Sequence, residues 1–536
     1  MVESYPTTEM DVAFQLGRIH LERAHQGIDN VCNKGVVDWL FPDSLHLRPY
    51  RQVYQLNDGD FLNKKIVRNL EQRTAVEKIL NCSSRGAPYI VFGPPGTGKT
   101  VTIVEAIYQL LRMTQKKILV CAPANAACDM LASKLIPYCE RNQLIRVHSE
   151  TRERSTITPQ IQQYSNMTSK GEFLPIKGSD LNHYRIVVTT LIFIGKFSGF
   201  KPDAVFIDEA AQALEPDVCV PLGIIRPEAS IVLAGDPKQL GPIVQSNVAR
   251  EYGLGVSMLE RLMDTQETYK NQDPNFITML IKNFRSHPDI LDLPNKLFYE
   301  EKLQAISQEP INDPISRTSV YPKISSLFPV VKVANGLNAA GHAVEFCAVS
   351  AKERREGRSP SYFNPAEADM ALKYVITLVH LKFHPDFQVK PSDIGIITPY
   401  IRQVYKIKLL LQAHGLNDVE VGSTESFQGR EKRIIIISTV RAQHDLLKHD
   451  EKYSLGFVKK EKRFNVAMTR AISKLIVIGC PAVLATDEKW RGYMQMCRNF
   501  GAYYGAPYEE RTKEKKKQIV DRFDSFPKFS NVKAEQ

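Results

Sequence analysis

Residues 93 to 100 read Gly93-Pro94-Pro95-Gly96-Thr97-Gly98-Lys99-Thr100, directly after the apolar run Pro88-Tyr89-Ile90-Val91-Phe92 and directly before Val101-Thr102-Ile103-Val104-Glu105-Ala106-Ile107. The first run suits a buried strand and the last a helix. The chain is thereby constrained to a strand, a glycine loop and a helix in the order that cradles a nucleoside triphosphate. The glycines let several backbone N–H groups turn inward toward anionic oxygens, and the helix starting near Lys99 adds the positive end of its dipole. In that geometry Lys99 reaches the β and γ phosphates, and the Thr100 hydroxyl takes one place on Mg²⁺.

A chain of 536 residues with 43% apolar content can build several cores. Its 70 Lys and Arg against 59 Asp and Glu leave a formal charge of +11, which favours a polyanionic partner. Nine cysteines with no C-x-x-C pair argue against a disulfide scaffold and a structural zinc site, and for reduced thiols in the cytosol or nucleus. Apolar stretches such as Ile434-Ile435-Ile436-Ile437 are strand-sized and too short for a membrane span. The polar, acidic stretch Met1 to Met10 lacks the profile of a signal peptide.

Strand-like runs recur with helical or loop segments between them: Lys117 to Cys121, Arg185 to Thr189, Ala204 to Ile207, Ile231 to Ala234, then Ile394 to Thr398, Ile434 to Val440 and Lys474 to Ile478. This alternation predicts an α/β fold of two lobes, each a parallel sheet covered by helices. The expected organisation is an N-terminal strand (Val12, Phe14, Leu16) and helix over residues 1–64, a first lobe over 65–272 and a second lobe over 273–505. A polar insertion interrupts the first lobe at about 141–182, and a charged extension with Lys513, Lys515, Lys516 and Lys517 closes the chain over 506–536.

After the strand Ala204 to Ile207 come Asp208 and Glu209, where a nucleotide-binding sheet presents carboxylates. Asp208 is expected to hold Mg²⁺, and Glu209 to orient and deprotonate the attacking water. The strand Ile231 to Ala234 ends in Gly235-Asp236-Pro237-Lys238-Gln239-Leu240, which places Gln239 to sense the γ phosphate. Arginines in Asn283-Phe284-Arg285-Ser286-His287-Pro288 and in Arg463 to Ala471 are candidates for stabilising transition-state charge on the phosphoryl group. Strand-end residues Pro123, Asn125 and Thr190, and Thr398-Pro399-Tyr400 further on, are expected to touch the phosphates and sugars of a single strand.

The ordered set Gln72, Gly93 to Thr100, Ala122-Pro123-Ala124-Asn125, Asp208-Glu209-Ala210-Ala211, Gly235 to Leu240, Asn283 to Pro288, Gly422 to Glu431 and Arg463 to Ala471 resembles superfamily 1 helicases of the up-frameshift type. The segments Arg355 to Pro365 and Tyr252 to Leu262 resemble the Moloney leukaemia virus 10 and Armitage branch.

The resemblance covers about Arg68 to Ala482 and implies two RecA-like P-loop NTPase lobes. It implies an ATPase that uses Mg²⁺ and moves on single-stranded RNA, typically 5′ to 3′, remodelling RNA or RNA–protein complexes. By motif position, Gln72 reads adenine, Phe284 stacks on it where relatives often carry Tyr, and Gln239, Arg285 and Arg470 complete the γ-phosphate sensor. Gly429 and Glu431 are expected to bind the nucleotide, and Gln428 to Glu431, just before the Ile434 strand, to face the nucleotide cleft and couple the lobes. The branch implies RNA-silencing or RNA-decay partners, a cytoplasmic setting in ribonucleoprotein granules, and no membrane association. Relatives place a small β-barrel ahead of the first lobe, and residues 1–64 are read as its remnant. A DNA-directed motor and a nucleotide-switched RNA-binding scaffold with little unwinding are the alternative readings, because a 2′-hydroxyl contact leaves no motif.

Overall fold

The structure is a computed structural model that describes residues 17–42, 53–226, 228–328, 341–357, 359, 361–380, 388–443 and 459–506. The strand expected at Val12 to Leu16 and the lysine-rich segment around Lys513 lie outside the described residues. The chain divides into two compact units. One takes the residues up to Asn312 together with Glu425–Glu431 and Lys460–Ser473; the other takes Asp313–Thr424, Lys432–Lys459 and the residues from Lys474 onward.

In chain order the first unit contains α1 (Ile19–Asn33), α2 (Leu70–Leu80), β1 (Tyr89–Phe92), α3 (Lys99–Met113), β2 (Ile118–Ala122), α4 (Asn125–Leu135), β3 (Leu144–Arg146), β4 (Ile186–Thr190), β5 (Ala204–Ile207), α5 (Glu215–Leu222), β6 (Ser230–Gly235), α6 (Met258–Thr265), β7 (Ile277–Met279) and α7 (Pro288–Phe298). The seven strands form one sheet in the order β3-β4-β2-β5-β6-β1-β7, and each neighbouring pair is parallel. Tyr89 and Val91 belong to one apolar cluster, whereas Ile90 and Phe92 belong to another, and Ala204 and Phe206 part from Val205 and Ile207 in the same way. Side chains alternate across a strand, so the two clusters occupy opposite faces of the sheet. With both faces covered no polar face is needed, and the central strands read as unbroken apolar runs.

Three expected boundaries shift. The second lobe is expected from residue 273, but β7 lies past that point and pairs with β1 through Ile90↔Ile277 and Phe92↔Met279, so the first unit runs on to Asn312. Edge-strand pairing is a long-range contact that local alternation of strands and helices does not encode. The described residues of the 1–64 stretch also group with the first unit. Among the described residues of this stretch there is no strand, and α1 packs on α5 so closely that a Cβ on Gly27 would stand 2.8 Å from the Val220 backbone. Leu56 and Phe61 join one of the two sheet-face clusters.

The segment expected as an insertion at 141–182 contributes β3, which pairs with β4 at the sheet edge. Its polar residues are spent on internal bonds. The fully buried Arg146 donates Nε to Asp129 Oδ1 at 2.9 Å, Nη1 to the Val147 carbonyl at 2.7 Å and Nη2 to Asn125 Oδ1 at 2.8 Å. Arg152 Nη1 donates to His148 Nδ1 at 2.8 Å, so Nδ1 accepts and Nε2 carries the proton toward Ser165 Oγ at 3.0 Å. Burial and the guanidiniums of Arg146 and Arg152 push His148 from 6.5 down to about 3. A histidine with a depressed folded pKa contributes stability that is complete above 6.5 and drains as pH falls toward 3. The unfolding midpoint is therefore expected to drop through that window, and His148→Gln to flatten part of the drop. An identical pH profile in the variant would remove His148 from this account.

The second unit contains β8 (Val344–Ala348), α8 (Pro365–His380), β9 (Ile394–Ile397), α9 (Ile401–Ala413), β10 (Glu420–Gly422), β11 (Lys432–Ser438), β12 (Ala471–Gly479, whose first three residues group with the first unit), α10 (Glu488–Asn499) and β13 (Tyr503–Gly505). Its sheet runs β10-β9-β11-β12-β8-β13, with β9 parallel to β10 and β11 and β8 parallel to β12 and β13. Leu372, Val375 and Leu378 of α8 and Val404, Ile407 and Leu411 of α9 pack with Ile394 and Ile434 in one core. The two-lobe α/β expectation therefore holds, with the boundary moved and two later segments returned to the first unit. Among the described residues no helix is long and apolar enough to cross a membrane.

Candidate nucleotide site

The loop follows β1 and is tied down at both ends. Gly93 N donates to the Gly235 carbonyl at 3.0 Å, and Thr97 Oγ1 donates to the Pro94 carbonyl at 2.7 Å. Gly96 and Gly98 take φ values of 69° and 83°, a left-handed region that glycine enters freely. Neighbouring side chains crowd these two positions. A Cβ on Gly96 would stand 2.6 Å from Arg285 Cβ, and one on Gly98 would stand 2.6 Å from Gln72 Nε2. Gly98 caps α3, whose first N–H groups have no partner within the helix and suit an anion.

The strand β5 delivers the carboxylates. Lys99 Nζ lies 3.0 Å from Asp208 Oδ1 and 2.6 Å from Glu209 Oε1. Burial works against the lysine charge, but the two carboxylates outweigh it and raise its pKa. Burial also raises Asp208 against the pull of Lys99. For Glu209 burial is overcome by Lys99 and Gln212, and its pKa ends below the usual value. Glu209 holds φ at 54°, a backbone conformation that costs a non-glycine residue about 1–3 kcal/mol and collects at functional sites.

Asp208 Oδ2 is shielded from solvent and has no hydrogen-bond partner. An unspent carboxylate oxygen one residue from Glu209, with Thr100 opening α3 beside Lys99, is the donor type that a hard divalent cation requires. Replacing Lys99 with alanine removes charge-assisted bonds worth about 1.5–3 kcal/mol each, or roughly ten- to hundredfold in affinity. A titration with a non-hydrolysable triphosphate analogue should show that loss. Unchanged affinity would take Lys99 out of the cradle.

Beyond β6 a chain of hydrogen bonds orients Gln239. The buried Asp236 accepts at Oδ2 from Gln239 Nε2 at 2.7 Å and from the Tyr299 hydroxyl at 2.8 Å. Gln239 Oε1 in turn accepts from Arg470 Nη2 at 2.9 Å. Asn465, on the helix Glu461–Met468, donates Nδ2 to the Tyr299 hydroxyl at 2.7 Å and to the Lys238 carbonyl at 2.9 Å. Arg470 is buried, and its other donors reach the carbonyls of Val466 at 3.0 Å and Arg430 at 3.3 Å and the Thr469 hydroxyl at 3.3 Å. Burial and the neighbouring Arg285 push it down to about 9, while Glu209 draws it back up. A buried guanidinium bonded only to neutral oxygens is short of an anion, and a phosphoryl oxygen supplies one.

The expected adenine side is partly rearranged. Gln72 is buried beneath the loop, with Nε2 donating to Thr102 Oγ1 at 3.0 Å and to the Gly98 carbonyl at 3.3 Å. Its amide nitrogen ties helix α2 to the loop and to the first turn of α3. Phe284 donates its backbone N–H to the Gly96 carbonyl at 2.8 Å and is 36% exposed, so an aromatic residue stands beside the loop. Asn283 Nδ2 donates to the Pro95 carbonyl at 2.7 Å. Arg285 pairs through Nε with Glu431 and donates Nη1 to the Thr469 carbonyl at 3.3 Å; Gly429, two residues before Glu431, turns at φ 75°.

The strand-contact candidates divide. Pro123 and Thr190 are half-buried at the carboxyl ends of β2 and β4, and Asn125 is exposed at the start of α4, held by Arg146. In the second unit Thr398 is buried past β9 and Pro399 is half-buried. Tyr400 corrects its expectation. It is 4% exposed, packs edge-on against Tyr362 with ring centres 6.2 Å apart, and has the Arg441 guanidinium 5.0 Å from its ring centre. Its covers come from distant parts of the chain, so an aromatic residue after a strand end reads as exposed when it is core.

The residues missed from sequence are Tyr299, which lies in no motif, Asn465, which lies within the Arg463 to Ala471 motif without a role of its own there, and a row of hydroxyls. Thr398, Thr424 and Thr439 follow the ends of the neighbouring strands β9, β10 and β11, and each has a buried hydroxyl oxygen with no hydrogen-bond partner. Three threonines beyond consecutive sheet positions are a signal that only the strand order reveals.

Two family models described as an AAA domain match residues 68–173 with 175–247 and residues 254–482. The protein mov-10-B.1 of Danio rerio is 40% identical over 93% of this chain and 49% of its own length. MOV-10 of Gallus gallus is 36% identical over 96% of this chain and 55% of its own length, and RNA helicase Mov10l1 of Mus musculus is 39% identical over 85% and 37%. The chain thus spans about half the length of the relatives it matches. It belongs to the up-frameshift-type superfamily 1 helicases, in the branch of MOV-10, Mov10l1 and Armitage.

Proposed function

We propose that the chain hydrolyses ATP to move along single-stranded RNA, 5′ to 3′, remodelling RNA or RNA–protein complexes. The observation that carries this reading is the buried Arg470, bonded to Gln239 and otherwise to neutral oxygens, in the same unit as the phosphate loop. Thr100 and Asp208 would hold Mg²⁺, which supplies charge neutralisation at the β and γ oxygens. Lys99 leaves its two carboxylates for the phosphates, which frees Glu209 to accept the proton of the attacking water. Arg470 and Arg285 stabilise charge on the transferring phosphoryl group, and Gln239 registers its loss through the Asp236–Tyr299 bonds.

The RNA assignment draws on the name of Mov10l1, an RNA helicase, and on the branch motifs. In this reading the protein works in the cytoplasm, in ribonucleoprotein granules, beside RNA-silencing or RNA-decay proteins. A tailed-duplex unwinding assay tests it with RNA and DNA tails of either polarity. ATP-dependent unwinding from a 5′ RNA tail is expected. Equal unwinding from DNA tails would make it a DNA-directed motor as well, and ATP-gated binding without unwinding would make it a clamp.

A further inference from the structure

Tyr299 has a second surface. Besides bonding Asp236 and Asn465, it lines a cavity of about 520 Å³ in the first unit, bounded by α2, β7 and the end of α7. That volume falls within the range of small-molecule sites, about 300–1,000 Å³. No residue from Gly93 to Thr100 lines it, nor do Asp208, Glu209, Phe284 or Arg470, so it is separate from the nucleotide cradle.

Its walls are mixed, with Met263, Met279 and Phe298 supplying an apolar side among polar and charged residues, and methionines adapt to irregular ligands. One carboxylate stands out. Glu71, in the first turn of α2, lines the cavity, and its Oε2 is shielded from solvent without a hydrogen-bond partner. An unpaired acceptor removed from water is costly, and a ligand N–H relieves that cost. The remaining charges on the wall do not decide the matter, because Glu71, Asp264 and Glu300 are matched by Lys238, Lys270 and Lys302, and Lys302 is already 2.7 Å from Glu300. Two wall residues, Gln272 and Glu300, hold left-handed φ values of 52° and 53°, a cost that proteins tend to accept near functional sites.

The cavity reaches the sensor through one side chain. The Tyr299 hydroxyl donates to Asp236 at 2.8 Å, Asp236 holds Gln239 at 2.7 Å, and Gln239 accepts from Arg470 at 2.9 Å. A displaced Tyr299 ring alters that chain without any contact to nucleotide. We propose that this cavity binds a small organic amine, its apolar body against Met263, Met279 and Phe298 and its N–H donor on Glu71, and that occupancy is passed through Tyr299 to the Gln239–Arg470 contact. The binding half stands without the ATPase reading, and the coupling half rests on it.

Calorimetry on the full chain without nucleotide tests the binding half, using tryptamine as probe and 3-methylindole as its neutral counterpart. Tryptamine is expected to bind saturably and at least about tenfold tighter than 3-methylindole, from one charge-assisted bond. Glu71→Gln should erase that preference, and Thr74→Trp, which fills the cavity from α2, should abolish binding of both. No saturable binding of tryptamine to the wild type, or equal binding to Thr74→Trp, overturns the site. For the coupling, tryptamine should change the ATPase rate of the wild type and leave that of Tyr299→Phe unchanged while still binding it. Binding with no effect on a measurable wild-type rate overturns the coupling, whereas binding by a chain with no ATPase overturns the motor reading and leaves the cavity standing.

Discussion

Replacing Arg470 with alanine should lower ATP turnover by about 10³- to 10⁵-fold, the effect of removing a guanidinium from a transferring phosphoryl group. The geometry explains why so much rests on one side chain. Arg470 is buried and its hydrogen bonds end on Gln239, Val466, Arg430 and Thr469, none of them an anion. Its charge is therefore held ready in a low-dielectric setting, where a developing negative charge is stabilised most. Single-turnover hydrolysis measures the loss, and analogue binding run in parallel separates it from weakened affinity. Arg470→Lys keeps a charge but loses the planar fork to Gln239 and the carbonyls, so it should recover only part of the rate. A rate unchanged in Arg470→Ala would mean that the transition-state charge is met elsewhere.

The second large effect is expected at Glu209. Glutamine keeps the shape of Glu209, whose contact with Lys99 at 2.6 Å is given up to the phosphates in any case, so a triphosphate analogue should bind Glu209→Gln with near wild-type affinity. Turnover should nevertheless fall by about 10²- to 10⁴-fold, because the amide cannot take a proton from water. The environment supports a carboxylate in that role. Lys99 and Gln212 hold Glu209 below its ordinary pKa despite burial, so it starts ionised, and the departure of Lys99 to the phosphates restores its basicity. Its neighbour Asp208 is raised instead, and its free Oδ2 suits a metal ligand better than a base. Equal hydrolysis by the wild type and Glu209→Gln would transfer the base to another residue.

The parts of this site legible in sequence are those built from contiguous residues. The loop from Gly93 to Thr100, the pair Asp208 and Glu209, and Gln239 each follow directly from a buried parallel strand, and an apolar run with its punctuation carries that information. Arg470 was legible only through motif order, since nothing in Met468-Thr469-Arg470-Ala471 says what it faces. What stayed hidden depends on pairing across long chain separations. The stretch from residue 273 reads as the start of a second lobe until the register of β7 with β1 is seen. Tyr299 lies in no motif, yet its hydroxyl joins Asp236 to Asn465. Tyr400 is expected to touch the phosphates and sugars of a strand and is instead packed against Tyr362 and Arg441. Gln72 is expected beside adenine from motif order, whereas its bonds to the Gly98 carbonyl and Thr102 show only in the folded chain.

The steady-state ATPase rate of this chain, titrated with single-stranded RNA at fixed ATP, tests the central claim most directly. A saturable rise in rate that disappears in Glu209→Gln is the expected result. A rate that ignores RNA, or that rises equally in the variant, would contradict an RNA-stimulated engine built on Lys99, Glu209 and Arg470.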